Sequence, residues 1–279
     1  MTKQEQSERA EKFLALHRGP HALVLCNAWD VASARMVEAA GFPAVATTSA
    51  GIANALGYPD GQRVPLDEML WMVSHIEHAV SVPVSADFEA GYSEKPEAVA
   101  ANCKRVLEAG AVGINLEDGT GDPKQPLVET TLHEEKIRAI REMSAAAGVH
   151  LVINARTDVY LDAVGEPESR FEHTVTRLNA YHKAGADSLF APGVTDRETI
   201  ARLVKAVAGP LNILAVAAAP SIGDLERVGV ARVSLGSGPM RATMGLLQRM
   251  LAELKEHGTC AAMVQHAISY ADANRLFVK

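Results

Sequence analysis

The chain has 279 residues, with 27 Lys+Arg against 34 Asp+Glu and a formal net charge of −7. With 48% hydrophobic and 22% charged residues it can bury a large core, which excludes disorder as the main state. The acidic balance argues against nucleic acid and anionic membrane as main partners, since both require a basic face. No apolar run approaches the roughly 18 residues of a membrane span. Residues 1–12 are polar and charged, so no signal peptide is expected there. Cys26, Cys103 and Cys260 are odd in number and far apart; they form no metal or redox pair by spacing and fit a reduced, cytoplasmic setting.

Along the chain, short apolar runs alternate with longer amphipathic, Ala-rich segments. The runs cover 22–26, 44–48, 82–86, 112–116, 151–155, 188–191, 211–216 and 231–235. Each is continuous rather than alternating, as expected of a parallel strand buried on both faces. Helices are predicted near 31–40, 66–80, 96–109, 132–147, 167–184, 196–207 and 221–228. Gly41, Gly110, Gly148, Gly185 and Gly229 follow five of these, where a left-handed residue ends a helix. Eight strand–helix units without a linker or composition break predict an α/β fold, a (β/α)8 TIM-type barrel, with residues 1–279 as one domain. An open doubly wound sheet is the alternative. Its usual glycine fingerprint is missing, because Asn27-Ala28-Trp29-Asp30 follows the first strand. The last barrel helix is expected over 240–257. A further helical stretch, 260–276, has no strand to serve; its apolar Ala261, Val264, Ile268 and Leu276 need a surface, on this barrel or on a neighbouring subunit.

In a barrel the chemistry sits at the carboxyl ends of the strands. Here those ends carry Asn27 and Asp30; Thr47, Thr48 and Ser49; Asp87 and Glu89; Glu117 and Asp118; Asn154, Arg156 and Asp158; Gly193; and Gly236-Ser237-Gly238. No histidine lies at any of them, so the donor set is oxygen-only, which suits a hard cation such as Mg²⁺ and disfavours zinc. A single strand-end carboxylate is often just a helix cap or loop hydrogen bond. Asp87, Glu89 and Glu117 together are harder to explain that way, because three like charges at one mouth repel unless a cation or protons neutralise them. No lysine lies in a strand or directly at a strand end, which leaves a Schiff-base aldolase without its nucleophile. Lys124 is kept as a candidate because it lies in the polar loop 119–131, either a lid or a solvated loop. The 236–238 turn could bind phosphate through its N–H groups, or simply be a tight turn. His75 and His78 read as surface residues and Cys26 as a packed thiol.

Several ordered motifs resemble the isocitrate lyase/phosphoenolpyruvate mutase superfamily. They are Asn27-Ala28-Trp29-Asp30 with Ser33-Ala34-Arg35, Thr47-Thr48-Ser49-Ala50-Gly51, Leu56-Gly57-Tyr58-Pro59-Asp60, and Ala86-Asp87-Phe88-Glu89-Ala90-Gly91-Tyr92. Gly113-Ile114-Asn115-Leu116-Glu117-Asp118, Asn154-Ala155-Arg156-Thr157-Asp158 and Gly185-Ala186-Asp187 continue the match over nearly the whole chain. The resemblance implies a barrel whose C-terminal helix is exchanged between subunits of a homo-oligomer, a dimer or more commonly a tetramer. It implies Mg²⁺ on Asp87, with Glu117 as a second carboxylate often acting through water. Ser85 stands where the family usually has an aspartate, and Glu89 is inferred to compensate. Thr48, Ser49 and Ala50 are expected around the substrate carboxylate, with Trp29 and Asn154 beside them and Arg156 as the clamp. Asp60 matches a loop aspartate of the family's active site. The lyases' Lys-Lys-Cys-Gly-His lid is replaced by Gly121-Asp122-Pro123-Lys124-Gln125-Pro126, which has no thiol.

These residues suit a Mg²⁺-dependent lyase acting on a small 2-oxo or 2-hydroxy (di)carboxylic acid through an enolate, by C–C cleavage or decarboxylation, with Asp60, Arg156 and Lys124 as the catalytic candidates. The alternatives are phosphonopyruvate or phosphoenolpyruvate chemistry, as a mutase or hydrolase, and a non-catalytic 2-oxo acid binding protein.

Overall fold

The structure is a computed structural model and describes residues 1–278. Its strands are β1 (Leu23–Leu25), β2 (Asn27–Ala28), β3 (Val45–Thr47), β4 (Val84–Asp87), β5 (Gly113–Glu117), β6 (Val152–Arg156), β7 (Ser188–Phe190), β8 (Leu211–Leu214) and β9 (Arg232–Ser234). They form one parallel sheet in the order β1-β9-β8-β7-β6-β5-β4-β3-β2. The two ends of that order are consecutive in the chain, so the sheet curls into a nearly closed barrel. The expected strand 22–26 is therefore two pieces: β1 pairs with β9 and β2 with β3, and Cys26 lies at the break.

The helices are α1 (Lys3–Leu16), α2 (Val31–Ala39), α3 (Ser49–Leu56), α4 (Leu66–Ala79), α5 (Pro96–Glu108), α6 (Thr130–Ala147), α7 (Arg170–Ala184), α8 (Arg197–Ala206), α9 (Ile222–Arg227), α10 (Gly238–His257), α11 (Ala261–His266) and α12 (Tyr270–Arg275). The outer ring follows the expected pattern. On α5, for example, Val99, Cys103, Val106 and Leu107 are buried at helical spacing against the barrel. The five glycines expected to end helices all have positive φ.

Two helices lay outside the sequence expectations. Helix α3 starts directly after β3, capped by the Thr48 side chain, which accepts from the Gly51 N–H. Gly51 has to be glycine, because a Cβ there would come within 2.8 Å of Trp29 Cβ. Helix α1 begins with a capping box between Thr2 and Glu5 and covers the amino-terminal end of the barrel. Its Phe13 is fully buried and sits so close that a Cβ on Gly113 would lie 2.5 Å from the ring.

The barrel interior is polar as well as apolar. Asn154 and Asn212 are fully buried, and Asn27, Asn115, Ser85, Ser188, Ser234 and Arg232 are nearly so. At the other extreme, Met244, Leu247, Leu251 and Leu254 make one stripe on α10 with 53%, 55%, 56% and 52% of their surface exposed, and nothing among the described residues covers it. The expected 260–276 helix is interrupted between α11 and α12. Among the described residues no helix is long and apolar enough to cross a membrane.

Burial holds two histidines neutral. His17 is lowered to about 4 by burial and the neighbouring Arg232 charge, and His133 to about 4 by burial. An unfolded histidine titrates near 6.5, so between about pH 4 and 6.5 the unfolded chain binds the extra proton. The stability each one contributes is complete above that window and lost as the pH falls through it. For His133 the loss is expected to be about 3 kcal/mol. It should appear as a shallower pH dependence of the urea midpoint in His133→Phe than in wild type; parallel pH curves would contradict it.

Candidate active site

A cavity of about 150 Å³ opens at the carboxyl ends of the strands and runs into the barrel. Thr48, Ser49, Ala50, Asp60, Asp87, Asn154 and Arg156 line it, joined deeper in by Asn115, Asn212, Ser234 and Arg232.

Asp87 ends β4 and is held by neighbours on both sides. Its Oδ2 accepts from the Ser49 N–H at 2.9 Å and from Ser49 Oγ at 2.8 Å, and its Oδ1 accepts from Asn115 Nδ2 at 2.9 Å. The backbone N–H of Asp87 donates to Thr47 Oγ1 at 2.9 Å. Asn115 is itself oriented by Asn154, whose Nδ2 donates to its Oδ1 at 3.0 Å. Four adjacent strands and the start of α3 thus fix one carboxylate. Each carboxylate oxygen has two lone pairs, so Oδ1 still has capacity toward the cavity.

Arg156, ending β6, carries the balancing charge. Its Nη1 lies 2.7 Å from Glu117 Oε2, and its Nε and Nη2 form a fork on Asp158 at 2.5 and 2.9 Å. Burial opposes its charge, but Glu117 and Asp158 together raise its pKa above the ordinary arginine value. Glu117 is pushed well above the usual carboxylate range by burial, against the pull of Arg156. Behind this pair, the Asp158 N–H donates to Asp118 Oδ1 at 3.0 Å. Asp118, fully buried, accepts on Oδ2 from Arg177 Nη1 at 2.9 Å and from the Tyr181 hydroxyl at 2.7 Å. Arg177 also donates to the Val128 carbonyl at 3.0 Å, tying the end of the 119–131 loop to the same network.

Glu89 has a different set of contacts. It has φ +49°, is buried, and does not line the cavity. Its carboxylate accepts from the Gln62 N–H and, at 3.1 Å, from the Tyr92 hydroxyl, while Gln62 Oε1 accepts from the Tyr92 N–H at 2.8 Å. This clasp fixes the turn that presents Asp60 to the cavity. Burial, then the Asp87 charge, pushes Glu89 up to about 7.

The structure therefore brings together Thr48, Ser49, Ala50, Asp60, Asp87, Asn154 and Arg156, with Glu117 bonded to Arg156. It sets three candidates apart. Trp29 packs against Gly51 instead of lining the cavity. Lys124 is exposed near the tip of an ordered hairpin, closed by the Gly119–Leu127 bridge and by the Thr120 N–H to Pro126 carbonyl bond at 2.9 Å. Asp87, Glu89 and Glu117 do not form a three-ligand cage: no such group of His, Cys, Asp or Glu exists among the described residues. The 236–238 turn is also committed, because the Gly236 N–H donates to Asn27 Oδ1 at 2.9 Å and the Gly238 N–H to the Leu235 carbonyl at 3.2 Å. His75 and His78 are exposed, as expected.

The donor set nevertheless fits a Mg²⁺ ion. Such an ion usually takes one or two carboxylates and keeps several waters. Asp87 offers a fixed oxygen in the cavity, and a cation there would favour the charged forms of Glu89 and Glu117, which burial raises above the ordinary carboxylate range.

A barrel with carboxylates and a clamped arginine at its carboxyl-end mouth is the layout of an enzyme for small anionic substrates. The chain belongs to the phosphoenolpyruvate phosphomutase family, whose pattern matches residues 13–255, and so to the lyases and mutases of the isocitrate lyase/phosphoenolpyruvate mutase superfamily. An uncharacterized protein of Mycobacterium tuberculosis H37Rv is 36% identical over 231 residues, covering 82% of this chain and 83% of that one. A crystal structure from Burkholderia cenocepacia J2315 superposes with TM-score 0.92 at 37% identity, over 99% of this chain and 98% of that one. The crystal structure of 2,3-dimethylmalate lyase superposes with TM-score 0.84 at 27% identity, over 97% and 94%.

Removing Arg177 leaves Asp118 buried without its ion partner, which typically costs about 3–5 kcal/mol. Arg177→Met should therefore lower stability by that order in urea denaturation. A loss under about 1 kcal/mol would show that Tyr181 and the Asp158 N–H suffice to hold the charge.

Proposed function

We propose that this enzyme cleaves or decarboxylates a small 2-oxo or 2-hydroxy dicarboxylate through an enolate, with Mg²⁺ held at Asp87. The observation that carries the reading is the pairing, in one cavity, of a carboxylate fixed by three donors with an arginine held by Glu117 and Asp158. Asp87 is the direct ligand, Glu117 acts through water, and Glu89 adds negative charge from behind. When bound, Mg²⁺ supplies Lewis-acid stabilisation of developing charge on a 2-oxo acid. Arg156 supplies the second, preorganised positive charge, and its fork to Asp158 keeps it from reorienting as charge develops. The start of α3 receives a substrate carboxylate at the Ala50 N–H, where the helix dipole favours an anion; the Ser49 and Gly51 N–H groups on either side are already bonded to Asp87 and Thr48. Asp60, held by the Gln62–Glu89–Tyr92 clasp, is positioned to move a proton.

The C–P alternative loses its phosphate cradle, since two N–H groups of the 236–238 turn are already bonded. It stays in the test as one arm. With Mg²⁺, oxaloacetate or a substituted malate is expected to release pyruvate or another 2-oxo acid, and phosphonopyruvate to release no phosphate; phosphate release as the fastest reaction would overturn the reading. No thiol lies in the 119–131 loop, so kcat/KM for isocitrate should fall at least about 10²-fold below that of the best substrate, the usual scale of general acid–base help. Asp87→Ala should abolish Mg²⁺ binding in calorimetry while Glu117→Ala weakens it less.

The uncovered α10 stripe supports a second copy of this chain as its partner in a cytoplasmic homo-oligomer, with the C-terminal helices packed between subunits. Leu247→Lys with Leu251→Lys should drop the mass in light scattering to that of one chain; an unchanged oligomer would rule out this face.

A further inference from the structure

Arg232 is the second residue of the 231–235 run, and its side chain points into the barrel one layer below Ser234, because side chains alternate along a strand. It is 2% exposed and lines the inner part of the cavity that Arg156 and Asp87 line at the mouth. The other buried arginine, Arg177, has a carboxylate partner, Asp118, and the half-buried Arg156 and Arg141 have Glu117 with Asp158 and Asp187 respectively. Among the described residues Arg232 has none. Its one side-chain hydrogen bond among the described residues is Nη1 to His17 Nε2 at 3.4 Å, and its Nε has no hydrogen-bond partner. Asn154 Oδ1, on the wall of the same cavity, is also unpartnered.

A buried charge without a partner is costly. This one stays charged, because burial pulls it down only to about 9, still above neutral pH. Its register partners on the flanking strands, Asn212 and Leu23, are uncharged and His17 on α1 is held neutral; the carboxylate that favours its charge is Asp87 across the cavity, which makes no ion pair with it.

We propose that Arg232 is the inner anion-binding residue of the substrate cavity, receiving the second carboxylate of a dicarboxylate whose first is held at the mouth. This rests on reading the cavity as the site for small carboxylates, and it adds a reason for two negative groups: a monocarboxylate leaves the inner guanidinium unmatched. Asn212 and Ser234, hydrogen-bonded to each other at 3.3 Å, flank the position.

Malate and 2-hydroxybutyrate share a carbon skeleton and differ by one carboxylate. Calorimetric titration of both, in the presence of Mg²⁺, tests the proposal without turnover as the readout. Wild type should bind malate at least about tenfold more tightly, the low end of a hydrogen bond to a charged group. Arg232→Met should bring the ratio close to one, mainly by weakening malate, and Arg232→Lys should keep part of it. A structural role alone would lower the melting temperature and leave the ratio intact. If Arg232→Met does not fold, the lysine variant and the wild-type ratio still decide. An unchanged ratio in Arg232→Lys together with equal affinities in wild type would overturn the proposal while leaving the site reading in place. Binding of neither acid, nor of oxalate, would overturn both.

Discussion

Arg156 is shared between two carboxylates, Glu117 at 2.7 Å and Asp158 through a two-bond fork. That sharing sets the positions of Arg156, Glu117 and Asp158 relative to one another. Glu117 and Asp158 lie on the strand and loop that bracket the 119–131 hairpin, so the arginine that faces the cavity also fastens the base of that hairpin. Asp118 passes the constraint outward to Arg177 and Tyr181 on α7. A buried ion pair of this kind contributes little net stability by itself, since desolvation offsets most of the attraction. Its effect is positional: once Asp118 and Asp158 are satisfied, Arg156 has one low-energy orientation, and a rigid cation opposite Asp87 is what charge stabilisation in a water-poor site requires.

The barrel interior is built for the same purpose. A purely apolar lumen packs without polar debts, whereas this one carries Asn27, Asn115, Asn154 and Asn212 on separate strands, Asn115 and Asn154 in register. Most of their polar atoms are matched in pairs. Asn27 closes the seam by donating to the Thr47 carbonyl and accepting from the Leu235 and Gly236 N–H groups, and Asn154 orients Asn115, which orients Asp87. A polar chain of this type specifies one arrangement of the strands more sharply than hydrophobic packing does.

Much of this was legible in the chain itself. Strand positions came from apolar runs, helix ends from glycines, and the residues around the mouth from the rule that barrels work at the carboxyl ends of strands. What was hidden follows from the same physics. Helix α3 is hard to read because it is short and has a glycine, Gly51, in its first turn, and because Thr48 caps it as well as standing at the mouth. Helix α1 carries a Thr-x-x-Glu capping box that was visible, but its charged outer face masked the inward Ala10 and Phe13. Glu89 has its place at a clasp because positive φ at residues 89 and 92 turns the chain back toward Gln62, which no spacing rule predicts. Arg177 and Tyr181 stand one helical turn apart on the buried face of α7, a spacing that could have flagged them. Arg232 was the clearest overlooked signal, a lone charge inside an otherwise uncharged strand.

Helix α1 has one more consequence. With Phe13 seated against Gly113 at the amino-terminal end and His17 beside Arg232, the barrel is stoppered at its base, and the cavity has its opening at the carboxyl ends of the strands. Whatever enters the lumen must then leave by the door through which it came. Any small molecule that reaches Arg232 therefore passes Asp87 and Arg156 twice, once inward and once outward.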